Sequence, residues 1–292
     1  MKHVAKKRFG QNFLNDQAII TSLVNAIGPQ TDDIMVEIGP GLGALTQPLM
    51  KKLDHLHVVE IDRDIIRWMK GHYPADKITI HESDALKFDF SQLQSGSEQE
   101  SIARRQEGSN ETVHPVRRGA DDAVNAASDP AVRRIRVVGN LPYNISTPIL
   151  FHLLDNVGTI IDMHFMLQKE VVERMVAEPS NAAYGRLSVM LQYRLQMEYL
   201  FTVPPEAFDP APKVESAFVR AVPFATLPHP AKDEALLAKV VTAAFGQRRK
   251  TLRNTLKGLL DDAGFAALDI DPQLRAENLS VAEFVAISNH LS

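Results

Sequence analysis

Ile34-Met35-Val36-Glu37-Ile38-Gly39-Pro40-Gly41-Leu42-Gly43-Ala44 is the stretch on which the fold turns. Its first five residues, apolar but for Glu37, form a run of strand length, and a glycine-rich turn follows at once. Such a run, lacking the alternation of a half-solvated strand, reads as a strand buried on both faces. Glycine lets the backbone turn sharply and come close to a ligand, and a helix amino terminus beyond the turn favours negative groups. The pattern from Ala44 to Leu53 predicts that helix.

The rhythm repeats outward. His57-Val58-Val59-Glu60-Ile61 reads as a second strand, Asp64 to Gly71 as a helix, and Lys77 to His81 as a third strand. Arg136-Val137-Val138-Gly139 and Met163-His164-Phe165-Met166-Leu167 supply two more. Strands alternating with helices predict parallel βαβ units, an α/β sheet covered on both faces. From about 91 to 133 the chain is rich in Ser, Gln, Glu, Arg, Asp and Asn; this composition buries too little apolar surface to offset ordering and predicts a flexible insertion. Ala225-Thr226-Leu227-Pro228-His229-Pro230 reads as a linker. Beyond it, Asp233 to Phe245, Lys250 to Ala263 and Val281 to Leu291 show helical periodicity. The expected division is 1–225 for the α/β domain and 226–292 for a small helical one.

Composition narrows the function. Hydrophobic and charged fractions of 45% and 23% over 292 residues are those of an ordinary soluble protein. The absence of apolar runs of spanning length and of a secretory signal leads us to expect a cytoplasmic protein with no membrane partner. With no cysteine, disulfides, iron–sulfur clusters, thiolate zinc and a thiolate nucleophile are excluded, and no metal ion is expected. A net charge of −4 does not announce a nucleic-acid binder. Charge is unevenly placed, however: Lys2, Lys6, Lys7 and Arg8 share a stretch free of acids, and Arg248, Arg249, Lys250, Arg253 and Lys257 cluster near the carboxyl end. A locally basic face can bind phosphates within an acidic whole.

The glycine turn alone is a weak signal, since Gly39, Gly41 and Ala44 also satisfy a relaxed dinucleotide fingerprint. Glu60, ending the second strand, can accept from both hydroxyls of a ribose. Asp84, after the third strand, can meet an adenine amino group or simply cap a helix. Together they suit any adenosyl cofactor. Asn140-Leu141-Pro142-Tyr143 distinguishes the chemistry. The lone pair of an adenine amine is delocalised into the ring, and acceptors aimed at its hydrogens localise it. The Asn140 side-chain oxygen and the Leu141 carbonyl can be those acceptors, Pro142 restricting Leu141 to an extended conformation. Tyr143 offers a stacking face, worth roughly 1–3 kcal/mol for a base. In-line displacement on a methyl sulfonium needs alignment rather than a strong base.

These pieces together resemble the bacterial small-subunit (16S) ribosomal RNA adenine dimethyltransferase family. The resemblance rests on Phe9-Gly10-Gln11-Asn12-Phe13-Leu14, Glu37 to Leu45, Val59 to Asp62, Val138 to Pro148, Gln168 to Val171, Tyr184 to Leu187, Phe208 to Ser216 and Phe245 to Lys250. It implies a Rossmann-like class I methyltransferase sheet with a helical RNA-binding tail, and S-adenosylmethionine as cofactor. By resemblance Gln11, Asn12 and Leu14 close over the methionine end, Gly39 and Gly41 line it, Glu60 holds the ribose and Asp84 the adenine. Asn140, which also borders the cofactor, Leu141, Pro142 and Tyr143 form the base clamp, with Phe208 a second aromatic wall; a core phenylalanine in an irregular loop is the alternative reading of Phe208. Lys6, Lys7, Arg8, Arg248, Arg249, Lys250 and Arg253 face the RNA. The implied substrate is a pair of adjacent adenosines near the 3′ end of 16S rRNA in the assembling small subunit, converted to N6,N6-dimethyladenosine by a monomer. The insertion departs from the family pattern. The competing readings are a large-subunit RNA or DNA adenine methyltransferase, a non-catalytic assembly or transcription factor, and a hydride-transfer enzyme.

Overall fold

The computed structural model describes residues 11–93 and 134–292. The expected insertion, apart from Ser91, Gln92 and Leu93, lies outside the described residues, as do Lys6, Lys7 and Arg8. Leu93 itself is buried beside Phe90, so the packed chain runs slightly past the expected edge.

The apolar runs form β2 (Ile34–Ile38), β3 (Leu56–Glu60), β4 (Ile78–Glu82), β5 (Ile135–Asn140) and β6 (Ile160–Gln168), all parallel, in the order β4-β3-β2-β5-β6. Two further strands complete a seven-stranded sheet: β9 (Ser216–Pro223) pairs antiparallel with β6, and β7 (Leu195–Val203) antiparallel with β9. Parallel neighbours need a long crossover, usually helical, and the connection 204–215 holds no α-helix, so the chain returns antiparallel.

Successive strand residues enter two different cores, which explains the unbroken apolar runs. Val36, Ile38, Val137 and Phe165 pack with Ile149, Leu150 and Leu153 of a helix over Ser146–Asp155, while Met35, Val58, Val138 and Met166 point the other way. The second core is closed by α1 (Gln17–Ile27), α2 (Thr46–Met50) and α3 (Arg63–His72); Ser146–Asp155 is α4, and α5 (Lys169–Val176) adds Val172 and Met175 to the first. Asp16 caps α1 through its carboxylate, 2.8 Å from the Ala18 amide. The helix expected over Ala44 to Leu53 contracts to α2, because the left-handed glycine turn runs on to Gly43.

Arg136 locks the foot of β5. Its Nε and Nη2 each donate to Asp162 at 2.8 Å, Nη1 to Asp33 at 2.7 Å, and Nη2 also to the Ile27 carbonyl at 2.6 Å. This ties the strand carrying Asn140 to α1 and β6. A buried charge is tolerated only with such partners.

A third core joins α6 (Arg186–Gln192) and Tyr184 to the tail helices α7 (Glu234–Phe245), α8 (Leu252–Thr255), α9 (Asp262–Ala267) and α10 (Val281–Leu291). Residues on both sides of the 225/226 division therefore share it. The single helix expected from Lys250 to Ala263 is two, interrupted by Gly258 at φ +86°, with Asp261 capping α9. No helix among the described residues is long and apolar enough to cross a membrane.

Candidate active site

Chain order reverses between β2 and β5, which are neighbours in the sheet, and ligands of open α/β sheets lie where strand order reverses, beyond the carboxyl ends. A cavity of about 700 Å³ occupies this place. Gln11, Asn12, Leu14, Gly39, Gly41, Glu60, Asp84, Asn140, Leu141, Pro142 and Tyr143 all line it. Every residue read from the sequence as cofactor-binding is thus brought together with the Asn140–Tyr143 motif.

The glycine turn forms the floor. At Gly41 (φ +55°) a Cβ would come within 3.1 Å of the Phe13 ring, and at Gly43 (φ +81°) within 2.0 Å of the Tyr73 hydroxyl. Side chains at these positions would be strained by the backbone and would displace a neighbouring ring.

Three acids supply acceptors. Glu60 is 7% exposed, and its Oε1 accepts from the amides of Ile61 at 2.8 Å and Asp62 at 2.7 Å. Burial raises its pKa, which those backbone donors oppose. Glu37 is 2% exposed, and burial pushes its carboxyl up to about 7 against a 2.7 Å hydrogen bond donated by Thr46. Asp84 accepts from the Leu86 amide at 3.0 Å, so it does fix the local turn as well as face the cavity. Carboxylates beside the glycine turn would repel a pyrophosphate there, whereas they suit a ligand carrying hydroxyls and positive charge.

Across the top runs the segment Gln11–Asn15. Gln11 donates from Nε2 to Asp62 Oδ2 at 3.1 Å, and Asn140 donates from Nδ2 to the Asn12 carbonyl at 3.1 Å. β1 (Phe13–Leu14) pairs antiparallel with β8 (Phe208–Asp209), Phe13 opposite Asp209 and Leu14 opposite Phe208. The Asn15 amide donates to the Ala207 carbonyl at 2.9 Å. Tyr143 is held from the other side, its hydroxyl 2.6 Å from Ser216 Oγ.

Phe208 is the exception among the site residues. It does not line the cavity; its ring is 4% exposed in the core with Leu14 and Phe218. Its backbone pairs with Leu14, which does line the cavity. The carboxyl-terminal basic cluster is also divided. Arg253 pairs with Asp262 at 2.8 Å, and Arg248 donates to the Ala182 carbonyl at 2.7 Å with Glu277 at 3.8 Å, while Arg249 and Lys250 are exposed. Cavity residues that sequence reasoning passed over include Glu37, hidden inside a strand run, and Ile61, 49% exposed at the rim. Tyr73 beneath Gly43 carried no signal of its own, since only the fold brings α3 under the turn.

A mostly parallel seven-stranded sheet with antiparallel strands at one edge, opening on this acid-lined cavity, defines a Rossmann-like class I methyltransferase. The model of the family described as "Ribosomal RNA adenine dimethylase" matches residues 2–292, and the chain belongs to that family. It is 70% identical over 292 residues to the "Ribosomal RNA small subunit methyltransferase A" of Methylobacillus flagellatus, covering 100% of both chains. To the protein of the same name from Chromobacterium violaceum it is 54% identical, covering 99% of this chain and 97% of that one. Among solved structures it resembles a dimethyladenosine transferase from Plasmodium falciparum (TM-score 0.67, 22% identity, 94% and 95% covered). It also resembles the 23S rRNA methyltransferase ErmE (TM-score 0.62, 20% identity, 96% and 99% covered). At those identities the structures speak for the fold alone.

Proposed function

We propose that this protein transfers methyl groups from S-adenosylmethionine to N6 of two adjacent adenosines near the 3′ end of 16S rRNA, on an assembling small subunit in the cytoplasm. The observation that carries this reading is the Asn140 amide. Its Nδ2 donates one hydrogen to the Asn12 carbonyl, and its Oδ1 is the amide's acceptor for an adenine amine. The Leu141 carbonyl is the second acceptor and Tyr143 the stacking face.

The cavity fits the donor. Glu60 takes the ribose hydroxyls, Asp84 the adenine amine, and Gly39, Gly41, Gln11, Asn12 and Leu14 enclose the methionine end. When bound, the donor supplies an electrophilic methyl carbon. Asn140 and Leu141 hold the amine in line with it and localise its lone pair; their oxygens then stabilise the cationic nitrogen until a proton leaves. Phe208 serves as backbone support. The tail, proposed as a unit over 226–292, reaches the RNA through Arg249 and Lys250, with Lys6, Lys7 and Arg8 as the amino-terminal contribution.

A large-subunit target would use the same fold and clamp. The 70% identity to a protein named for the small subunit favours the small-subunit reading. To test it, undermethylated small and large subunits are offered separately with labelled donor. Label confined to small-subunit RNA is expected; label in the large subunit alone would overturn the target assignment.

A further inference from the structure

Resting on that base clamp, we infer that Ser216 is a positioning residue for methyl transfer: its buried hydroxyl tethers the Tyr143 phenol and fixes the plane on which the target adenine stacks.

The chain from Asn140 to Tyr143 leaves the end of β5 without regular structure, and the fold pins it at successive points. The Leu141 amide donates to the Met166 carbonyl of β6 at 3.1 Å. Beyond it the Ile145 amide donates to the Pro142 carbonyl at 3.1 Å, and Ser146 Oγ to the Tyr143 carbonyl at 3.2 Å. These bonds hold backbone and leave the Tyr143 ring free to turn about its side-chain torsions. The hydrogen bond at the far end of the ring, 2.6 Å between its hydroxyl and Ser216 Oγ, removes that freedom.

Ser216 is built as an anchor. It opens β9 opposite Gln168 of β6 and Val203 of β7, so its backbone sits inside the sheet rather than at an edge. Just before it the Glu215 carbonyl accepts from the Lys169 amide at 3.0 Å, and the Glu215 carboxylate from Lys169 Nζ at 2.7 Å. Ser216 is 0% exposed, and the next three residues, Ala217, Phe218 and Val219, are apolar and equally buried. A hydroxyl in such surroundings is costly unless bonded, and among the described residues Tyr143 is its only partner. Tyr143, by contrast, is half-buried and lines the cavity, where water could serve its hydroxyl as well. The bond therefore places the ring rather than merely satisfying the phenol. Ser216 does not line the cavity and so acts through Tyr143. A ring that swings lets the adenine amine leave the line to the methyl carbon, and in-line transfer is sensitive to such displacement.

The test is a double-variant cycle on transfer to undermethylated small subunits, with Ser216→Ala, Tyr143→Phe and both together. The kcat, both KM values and the urea midpoint are measured for each. Each single variant should lower kcat roughly tenfold, the scale of one hydrogen bond, with both KM values kept within about twofold. The double variant should be no slower than Tyr143→Phe alone, because both changes break one bond. A Ser216→Ala protein with a lowered urea midpoint and an unchanged kcat, or losses that multiply in the double variant, overturns the tether. If Ser216→Ala does not fold, Tyr143→Phe breaks the same bond without touching β9, and an undiminished kcat there overturns it equally. Absence of transfer to adenosine by the unaltered protein, with both donor and subunit bound, defeats the proposed reaction itself; normal transfer with multiplying losses defeats the tether alone.

Discussion

The side-chain amide of Asn140 donates to the backbone carbonyl of Asn12 at 3.1 Å, joining positions 128 apart in the chain. One hydrogen bond thus links the carboxyl end of β5 to the strand that covers the cavity. Removing the amide removes an acceptor used in the transition state more than a contact to the cofactor. Asn140→Ala should lower kcat by roughly 10²–10³, the loss typical of one preorganised polar group, while cofactor affinity is largely kept. Single-turnover transfer and cofactor titration measure the two separately. An equal loss in both would reassign Asn140 to cofactor binding.

Glu37 predicts a stability that falls with rising pH. Its carboxyl binds a proton more tightly folded, near pH 7, than unfolded, near 4.5. The contribution is therefore full below 4.5 and is lost as pH rises through 7. Glu37→Gln keeps a neutral group in place and should raise the stability of the cofactor-free protein above pH 7 by up to about 3 kcal/mol, at 1.36 kcal/mol per tenfold change in proton affinity. Urea midpoints at pH 5 and pH 8 check this. No gain at pH 8 would mean that Glu37 ionises without penalty.

His164 works in the opposite direction. It is 1% exposed, neither ring nitrogen has a hydrogen-bond partner among the described residues, and burial holds its pKa down at about 4. The unfolded ring takes a proton near 6.5, so its share of stability is present above 6.5 and drains away as pH falls toward 4. His164→Leu should flatten the fall of the thermal midpoint across that window. His57, likewise lowered to about 4, retains its own part.

Arg249, Lys250 and Arg253 are all exposed, and Arg253 pairs at the surface with Asp262. Arg249→Ala with Lys250→Ala should weaken small-subunit binding and reduce the slope of log affinity against log salt by about 2, near one for each phosphate contact. Arg253→Ala should change the slope less and the stability of the tail more. Binding measured over a range of potassium chloride separates these outcomes, and an unchanged slope in the double variant removes this face from the RNA interface.

The central strands were readable because both faces are buried: Ile34–Ile38 and Met163–Leu167 are apolar apart from the single buried polar residues Glu37 and His164, a pattern that needs no partner to be recognised. β7 was not, since Gln196 and Glu198 alternate with its inward residues at the sheet edge. α1 went unread although Asp16 and Gly28 bracket it and Ile20, Leu23, Val24 and Ile27 form its buried stripe, with Thr21, Ser22 and Asn25 on the exposed face. In the site, residues next to glycines or at strand ends were legible, since their chemistry and position coincide in sequence. Phe208 shows the limit. Its motif marked it for the site, but only the β1–β8 pairing reveals that its backbone supports Leu14 at the cavity wall while its side chain stays in the core. The Asn12–Asn140 bond, too, has no local sequence signature, being made by the fold.

The most direct measurement is nucleoside analysis of undermethylated small subunits after incubation with the purified protein and labelled S-adenosylmethionine. The account predicts labelled N6,N6-dimethyladenosine at two adjacent positions near the 3′ end, formed roughly 10²–10³ times more slowly with Asn140→Ala. Label on another atom or another base, or an unlabelled RNA despite demonstrated binding of both donor and subunit, would contradict it.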